Sequence, residues 1–349
     1  MEPPPITFEP AGEGAPAPDG GNFYRDARWR LGCIGLWLLF ECVVLVVVMA
    51  IGAAVSRHFL TLTAVEGMLP SLLMLGLMAP PMVMIVAAGG VDLSVGAVAA
   101  LAGVLVAMRE PAAGLPAALL LGLSAAVAVG VVNAVLVGLV RLHPVIVTLA
   151  MTALLRGLAM LLADGEKLFL DDSALLGALE LRWPFWIVLA VVVLGSIPMA
   201  QLTPFGLRPG PGEPAESRLL RAVYVGGPYV LSSAMAGLAG IVFLTWARIG
   251  DPTAGMGWEL EVLLAVLIGG TRFGGRFGSV IGAVIGVVIV ASLHLLLTLA
   301  GMMPSLARLT AGASLLAFAL LGSVYQSAVA SLYRASRARM AQPPGASTG

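Results

Sequence analysis

The sequence predicts an all-α polytopic membrane protein of about ten transmembrane segments, with broken or re-entrant elements near Gly89–Gly96 and Gly269–Gly278. Three observations carry that fold class. Of 349 residues, 59% are hydrophobic and only 11% charged, where a soluble chain carries about 25% charged residues; the mean hydropathy is +1.00. Apolar runs near the ~20-residue length that crosses a bilayer recur along the chain. The runs are also continuous, as from Val43 to Val48 and from Ala283 to Ala291, whereas the strands of a closed barrel alternate apolar and polar residues.

Taken in order, residues 1–30 read as a disordered cytoplasmic tail, 31–328 as the transmembrane domain and 329–349 as a cytoplasmic C-terminal tail. Met1 to Gly21 is acidic and rich in Pro and Gly, and it lacks the basic start and short apolar core of a signal peptide. The first span runs from about Leu31 to Val55, interrupted by Glu41, to which the sequence assigns no role. Cys33 and Cys42 lie on it half a turn out of phase, so they do not pair with each other and read as inert thiols. The second span covers Val65 to Ala88. Pro80-Pro81 in its middle removes two backbone donors and predicts a kink or a break. Freed carbonyls are tolerable there only against protein or a water-lined cavity.

Gly89-Gly90-Val91-Asp92-Leu93-Ser94-Val95-Gly96 follows, and a third span runs to Met108, before a turn at Arg109-Glu110-Pro111. The fourth span covers Pro116 to Val140, the fifth Val145 to Leu162. Asp164 to Arg182 is a long polar interval placed outside, and the sixth span covers Pro184 to Leu202. A basic, proline-rich inner loop precedes the seventh span, Ala222 to Trp246. Arg248 to Glu261 is an outer polar loop, and the eighth span begins near Val262 and ends in the second glycine cluster. Ser279 to Leu299 and Ser305 to Val324 complete the count. With both termini inside, twelve Lys or Arg residues fall inside and six outside, the inner excess expected of cytoplasmic loops.

The chemistry-bearing features are few. Adjacent glycines and an ionisable group inside a membrane need a reason, and a pair of interrupted segments, one in each half, points to a transport pathway. Gly89, Gly90, Asp92, Ser94 and Gly96, with Gly269 and Gly270, are therefore the pathway or gate candidates. Asp92 reads as an N-cap of a restarting helix, assisted by Ser94, near the inner end of the second span, rather than as a substrate carboxylate. Arg156 reads as snorkelling from the fifth span to the outer interface. Gly278, Gly282 and Gly286 form a small-xxx-small row suited to close helix packing. His143 and His294 are isolated, so no metal-binding spacing exists. The only lysine, Lys167, follows Glu166 rather than glycine, so there is no P-loop. No dinucleotide fold, hydrolase elbow or basic field for nucleic acid is present.

Several segments together resemble the inner-membrane permeases of ribose-type ABC sugar importers. They are Gly89 to Gly96 with Ala99-Ala100-Leu101-Ala102-Gly103, His143 to Leu149 with Leu155-Arg156-Gly157-Leu158-Ala159, Thr203-Pro204-Phe205-Gly206, Asp251 to Leu260, and Ala265 to Thr271. They occur in that family's order over roughly residues 57 to 325. The resemblance implies a permease without its own ATPase site or cofactor. It implies a homodimer or heterodimer of permeases in the bacterial inner membrane, two ATPase subunits inside and a periplasmic sugar-binding protein outside. It also implies an ATPase-coupling loop over Ala215, Glu216, Ser217, Arg218, Leu219 and Arg221. The sequence departs from the family at Leu207-Arg208-Pro209-Gly210-Pro211-Gly212-Glu213, which replaces a basic stretch and Gly-Asn, and at the basic, aromatic Arg272 to Phe277. The expected cargo is a monosaccharide-like solute. The alternatives are a nucleoside, a branched-chain amino acid or a signalling furanose in the same machinery, an ion-coupled carrier or channel using Asp92 or Glu66, and a permease that no longer transports.

Overall fold

A computed structural model of the chain describes residues 27–170, 183–202, 222–271, 273 and 278–302, with a few helical positions between 306 and 317. Two compact units are distinguished. One comprises Met1–Leu39 and Gly322–Gly349, of which the described part is the opening of the first helix. The other is Phe40–Leu321. Nine α-helices occur among the described residues: α1 Ala27–Val55, α2 Leu62–Ala87, α3 Val95–Ala113, α4 Leu115–Ala134, α5 Pro144–Leu162, α6 Trp183–Leu202, α7 Gly227–Ala247, α8 Trp258–Ile268 and α9 Val280–Leu299. A π turn, Val135–Leu139, prolongs α4, and a second, Ala222–Gly226, precedes α7. Two two-residue strands, β1 Leu168–Phe169 and β2 Ile249–Gly250, pair antiparallel with Leu168 opposite Gly250.

Local chemistry explains many of the boundaries. Thr61 and Ser279 sit at the N-caps of α2 and α9, their hydroxyls accepting from the amides of Ala64 (3.4 Å) and Gly282 (2.9 Å). The helices α4, α5 and α7 each open on a proline, whose missing N–H costs nothing in a first turn. The structure narrows one sequence expectation, excluding the break at Pro80-Pro81, and corrects two others. Pro80 and Pro81 do not break α2, which is helical from Leu62 to Ala87. The carbonyls left without donors one turn earlier, at Gly76 and Leu77, lie in the protein interior and not against lipid. Arg109-Glu110-Pro111 is not a turn but the last turn of α3. The helix stops at Gly114, whose φ of 77° closes it and whose amide donates to the Glu110 carbonyl. The eighth span is shorter than one crossing. At 11 residues α8 is about 16 Å long, against about 30 Å of hydrocarbon.

Among the described residues, seven helices are long and apolar enough to cross a membrane. The sixth expected span is helical as α6, and most of the tenth lies outside the described residues. The interior of the second unit is built on α2, α3 and α7. From Leu73 to Ala87 α2 is buried on all sides, while the described part of α1 exposes Val43, Val46, Val47, Ile51 and Val55 as a lipid-facing helix does. Backbones approach closely where side chains are absent. A Cβ at Gly240 would collide with the Ala99 carbonyl across α3 and α7, and one at Gly286 with the Ala265 carbonyl across α8 and α9. The glycine row on α9 is thus a packing seam, as its spacing predicts.

Candidate functional site

Both glycine pairs end helices, and by the same device. After α2, Gly89 has φ 84°; its amide donates to the Val86 carbonyl (2.9 Å) and the Gly90 amide to that of Ile85 (2.9 Å). After α8, Gly270 has φ 74°; its amide donates to Leu267 (3.0 Å) and the Thr271 amide to Val266 (3.2 Å). These are Schellman closures, which need a left-handed residue at the first position past the helix. In the remainder of the second cluster, Arg272 and residues 274–277 lie outside the described residues. Gly269 sits against Gly282 and Ala283 of α9, and Gly278 against Val83 of α2.

Between α2 and α3 the chain runs non-helically from Val91 to Ser94. Ser94, not Asp92, occupies the N-cap position of α3, and its side chain makes no capping bond. Asp92 instead folds over its successor: its Oδ1 accepts from the Ser94 amide (3.0 Å) and the Ser94 hydroxyl (2.6 Å). Asx geometry of this kind competes with capping and explains why the carboxylate does not serve the helix beyond. Three other helices then grip the connector. Asn133 of α4 donates through Nδ2 to Ser94 Oγ (3.1 Å). The Thr152 hydroxyl of α5 is shared between the Leu93 carbonyl (2.7 Å) and Thr148 (2.8 Å). From α7, the Tyr229 hydroxyl approaches the Val91 carbonyl (3.5 Å) and Ser232 faces the Asp92 carboxyl. Asp92, Ser94, Asn133, Ser232 and Ser233 are all fully buried. Asn133 Oδ1 and Ser233 Oγ have no hydrogen-bond partner. Such a network is costly to bury and therefore specific in geometry.

The other half of the site, around Arg156 and residues 250–255, was not read from the sequence as a unit. Gly96 lies against the Gly255 carbonyl and the Glu259 carboxyl, while Gly250 lies against Gly103 and Ala107. The segment from Gly250 to Gly255 thus descends along α3 for about 10 Å, the rise of the seven residues between Gly96 and Gly103. It is held there by Arg156, which does not snorkel outward. Its guanidinium donates to the carbonyls of Pro252 (3.1 Å) and Ala254. Asp251 caps its own turn, accepting from the Thr253 amide (2.8 Å) and hydroxyl (2.6 Å), and pairs with Lys167 at 3.2 Å. Partial burial acts to raise the Asp251 carboxyl, but the Thr253 bonds and the Lys167 charge outweigh it and hold it below the ordinary carboxylate value. The β1–β2 pair ties the same two loops together.

Two further polar features involve α9: a partly buried histidine–glutamate pair, and a buried carboxylate beside Gly282, against which Gly269 packs. His294 of α9 lies 3.3 Å from Glu261 of α8, a pairing that their 33-residue separation hid. Glu41 is fully buried on α1 with neither carboxyl oxygen hydrogen-bonded. Ala215, Glu216, Ser217, Arg218, Leu219 and Arg221 fall outside the described residues. The arrangement gathers a carboxylate, an amide and several hydroxyls where four helices meet. Its chemistry is that of buried hydrogen-bonding groups fixing where helices begin and end.

The comparisons agree with this architecture. Residues 64–174 and 224–319 match the family described as branched-chain amino acid transport system / permease component. The L-arabinose ABC transporter permease of Azospirillum brasilense is 29% identical over 73% of this chain and 78% of its own length. The ribose import permease of Escherichia coli is 30% identical over 67% of this chain and 78% of its length. The galactofuranose transporter permease of Escherichia coli is 28% identical over 72% and 78%. No solved structure matches. With seven helices among the described residues long and apolar enough to cross a membrane, and a family match on both sides of its central segment, the chain belongs, as a multi-pass membrane subunit, to this family of ABC-transporter permease components, which it shares with the ribose, arabinose and galactofuranose permeases.

Proposed function

We propose that the chain is the transmembrane subunit of an ABC importer that passes a monosaccharide-like polar solute across the inner membrane. A periplasmic binding protein delivers the solute, and ATP hydrolysis on separate subunits drives the step. The observation that carries this reading is the set of relatives. Permeases named for arabinose, ribose and galactofuranose align over 78% of their own lengths. The lack of a P-loop in the sequence supports an ATPase on another chain. Both termini are assigned to the cytoplasm, and the permease works as a dimer. The connector from Gly89 to Gly96, with Gly269 and Gly270, acts as a gate-side hinge whose polar groups hold helix ends in place. A branched-chain amino acid is the second reading of the cargo, favoured by the family's own description.

The test is uptake of radiolabelled ribose, arabinose and leucine into proteoliposomes. These hold the permease with the ATPase and binding protein encoded beside it. Sugar uptake that needs ATP and both partners is expected. Leucine uptake alone would move the cargo to the second reading. Uptake that persists without the ATPase would overturn the importer assignment.

A further inference from the structure

We propose that Gly226, Gly130 and Asn133 are positioning residues of transport. In this proposal they form a joint, built on two π turns, that carries the ATPase stroke to the start of α3. The inference rests on the importer reading above. It starts from a coincidence of two rare elements. The π turn after α4 and the π turn before α7 pack against each other at one end of the bundle. The first is set by wide hydrogen bonds, from the Val140 amide to the Val135 carbonyl (2.9 Å) and from the Leu142 amide to that of Leu136 (3.0 Å). A π turn holds one residue more than an α turn and can give it up as the helix shifts register. It is therefore an element with two discrete states.

Contact between the two helices is backbone to backbone. A Cβ at Gly226 would stand 2.9 Å from the Ala134 carbonyl oxygen and 3.0 Å from the Ala134 methyl. One turn along α4, a Cβ at Gly130 would stand 2.7 Å from the Val230 Cα and 3.0 Å from the Ser233 Cβ. The residue beside this contact is Asn133, the one that reaches Ser94 at the head of α3. Its amide oxygen, Oδ1, and the Ser233 hydroxyl have no partner in this arrangement. Unpartnered groups at a buried joint favour a second arrangement in which they are satisfied. Room to move is present: a pocket of about 240 Å³ opens beside Gly90, Arg141, His143, Val225 and Tyr229. In sequence, the second π turn begins at Ala222, directly after the segment whose residues Ala215 to Arg221 are expected to meet the ATPase. Displacement entering there reaches Asn133, and through it Ser94 and the connector, in two contacts.

The experiment uses the complete transporter in proteoliposomes, with its ATPase and binding protein, and reads sugar imported per ATP hydrolysed. Gly226→Ala and Gly130→Ala force the helices apart at the joint. Asn133→Ala removes its link to Ser94 and adds no bulk. Each is expected to lower the import-to-hydrolysis ratio about tenfold while ATPase activity persists, within the range that coupling free energies span. Adding Ala134→Gly to Gly226→Ala removes one of the colliding groups and is expected to restore part of the ratio. Gly195→Ala, at a position with nothing within 4 Å, is the control. Should the glycine variants fail to assemble, Asn133→Ala alone decides. Variants that assemble and import at the unmodified ratio overturn the joint. If the unmodified transporter shows no ATP-linked uptake, the importer reading itself falls, and the coupling role falls with it.

Discussion

At the scale of single residues, the connector from Val91 to Ser94 shows what a pattern of letters withholds. The glycines, the aspartate and the serine of the motif were legible as a break between helices. Their division of labour was not, because it depends on partners 39 to 138 positions away: Asn133, Thr152 and Tyr229. None of the three stands in a pattern that marks it in sequence. Arg156 is a similar case, since only the fold brings the Pro252 and Ala254 carbonyls within its reach. Ser94→Ala takes a bond from Asp92 and leaves Asn133 without its donor's acceptor. It should cost about 1–3 kcal/mol, the usual penalty for an orphaned buried group, read as a lower unfolding temperature of the detergent-solubilised protein. The Asp251 carboxylate makes a prediction in pH. Its folded value lies below the unfolded one, so its contribution is complete at neutral pH and is lost as pH falls through the folded value. Asp251→Asn should therefore raise protease sensitivity of the loops that carry Lys167 and Asp251 at pH 7. For the unsubstituted protein, that sensitivity should rise only below the ordinary carboxylate range.

At the scale of elements, hydrophobic length told where helices are but not where they stop. The spans from Leu62, Leu115, Pro144 and Val280 begin within three residues of the sequence reading, because caps and prolines mark starts. Ends were harder to place. Pro111 looked like a stop but sits in the last turn of α3, and the stop is Gly114. The π turns had no signature at all, since one extra residue per turn does not disturb an apolar run. Crossings between elements are set by missing side chains. Gly240→Ala should destabilise the protein by about 1–3 kcal/mol, because its methyl meets backbone that has no room to retreat. Gly157→Ala meets nothing within 4 Å and sits inside α5. It should stabilise by about 0.5–1 kcal/mol, the helix-propensity difference alone. Thermal unfolding of the two variants side by side checks both signs.

At the scale of the whole molecule, orientation follows from charge and can be measured. Single cysteines at Thr253 and His143, in a chain whose own Cys33 and Cys42 are replaced, should react with a membrane-impermeant thiol reagent from opposite sides. Thr253 is expected to label from outside intact cells and His143 only after the inner face is opened. Reversal of the two would overturn the cytoplasmic assignment of the termini. The descent of residues 250–255 along α3, and the short α8 that follows it, bear on how such a chain enters a membrane. A segment of 11 residues that carries Glu259 and Glu261 in its first turn partitions poorly into lipid by itself. In the folded protein it lies in a slot between α2 and the later-synthesised α9. Insertion of this half of the protein is therefore a matter of docking rather than of hydrophobicity. The expected outcome is that Trp258–Ile268 stays near the interface until Val280–Leu299 emerges to close behind it.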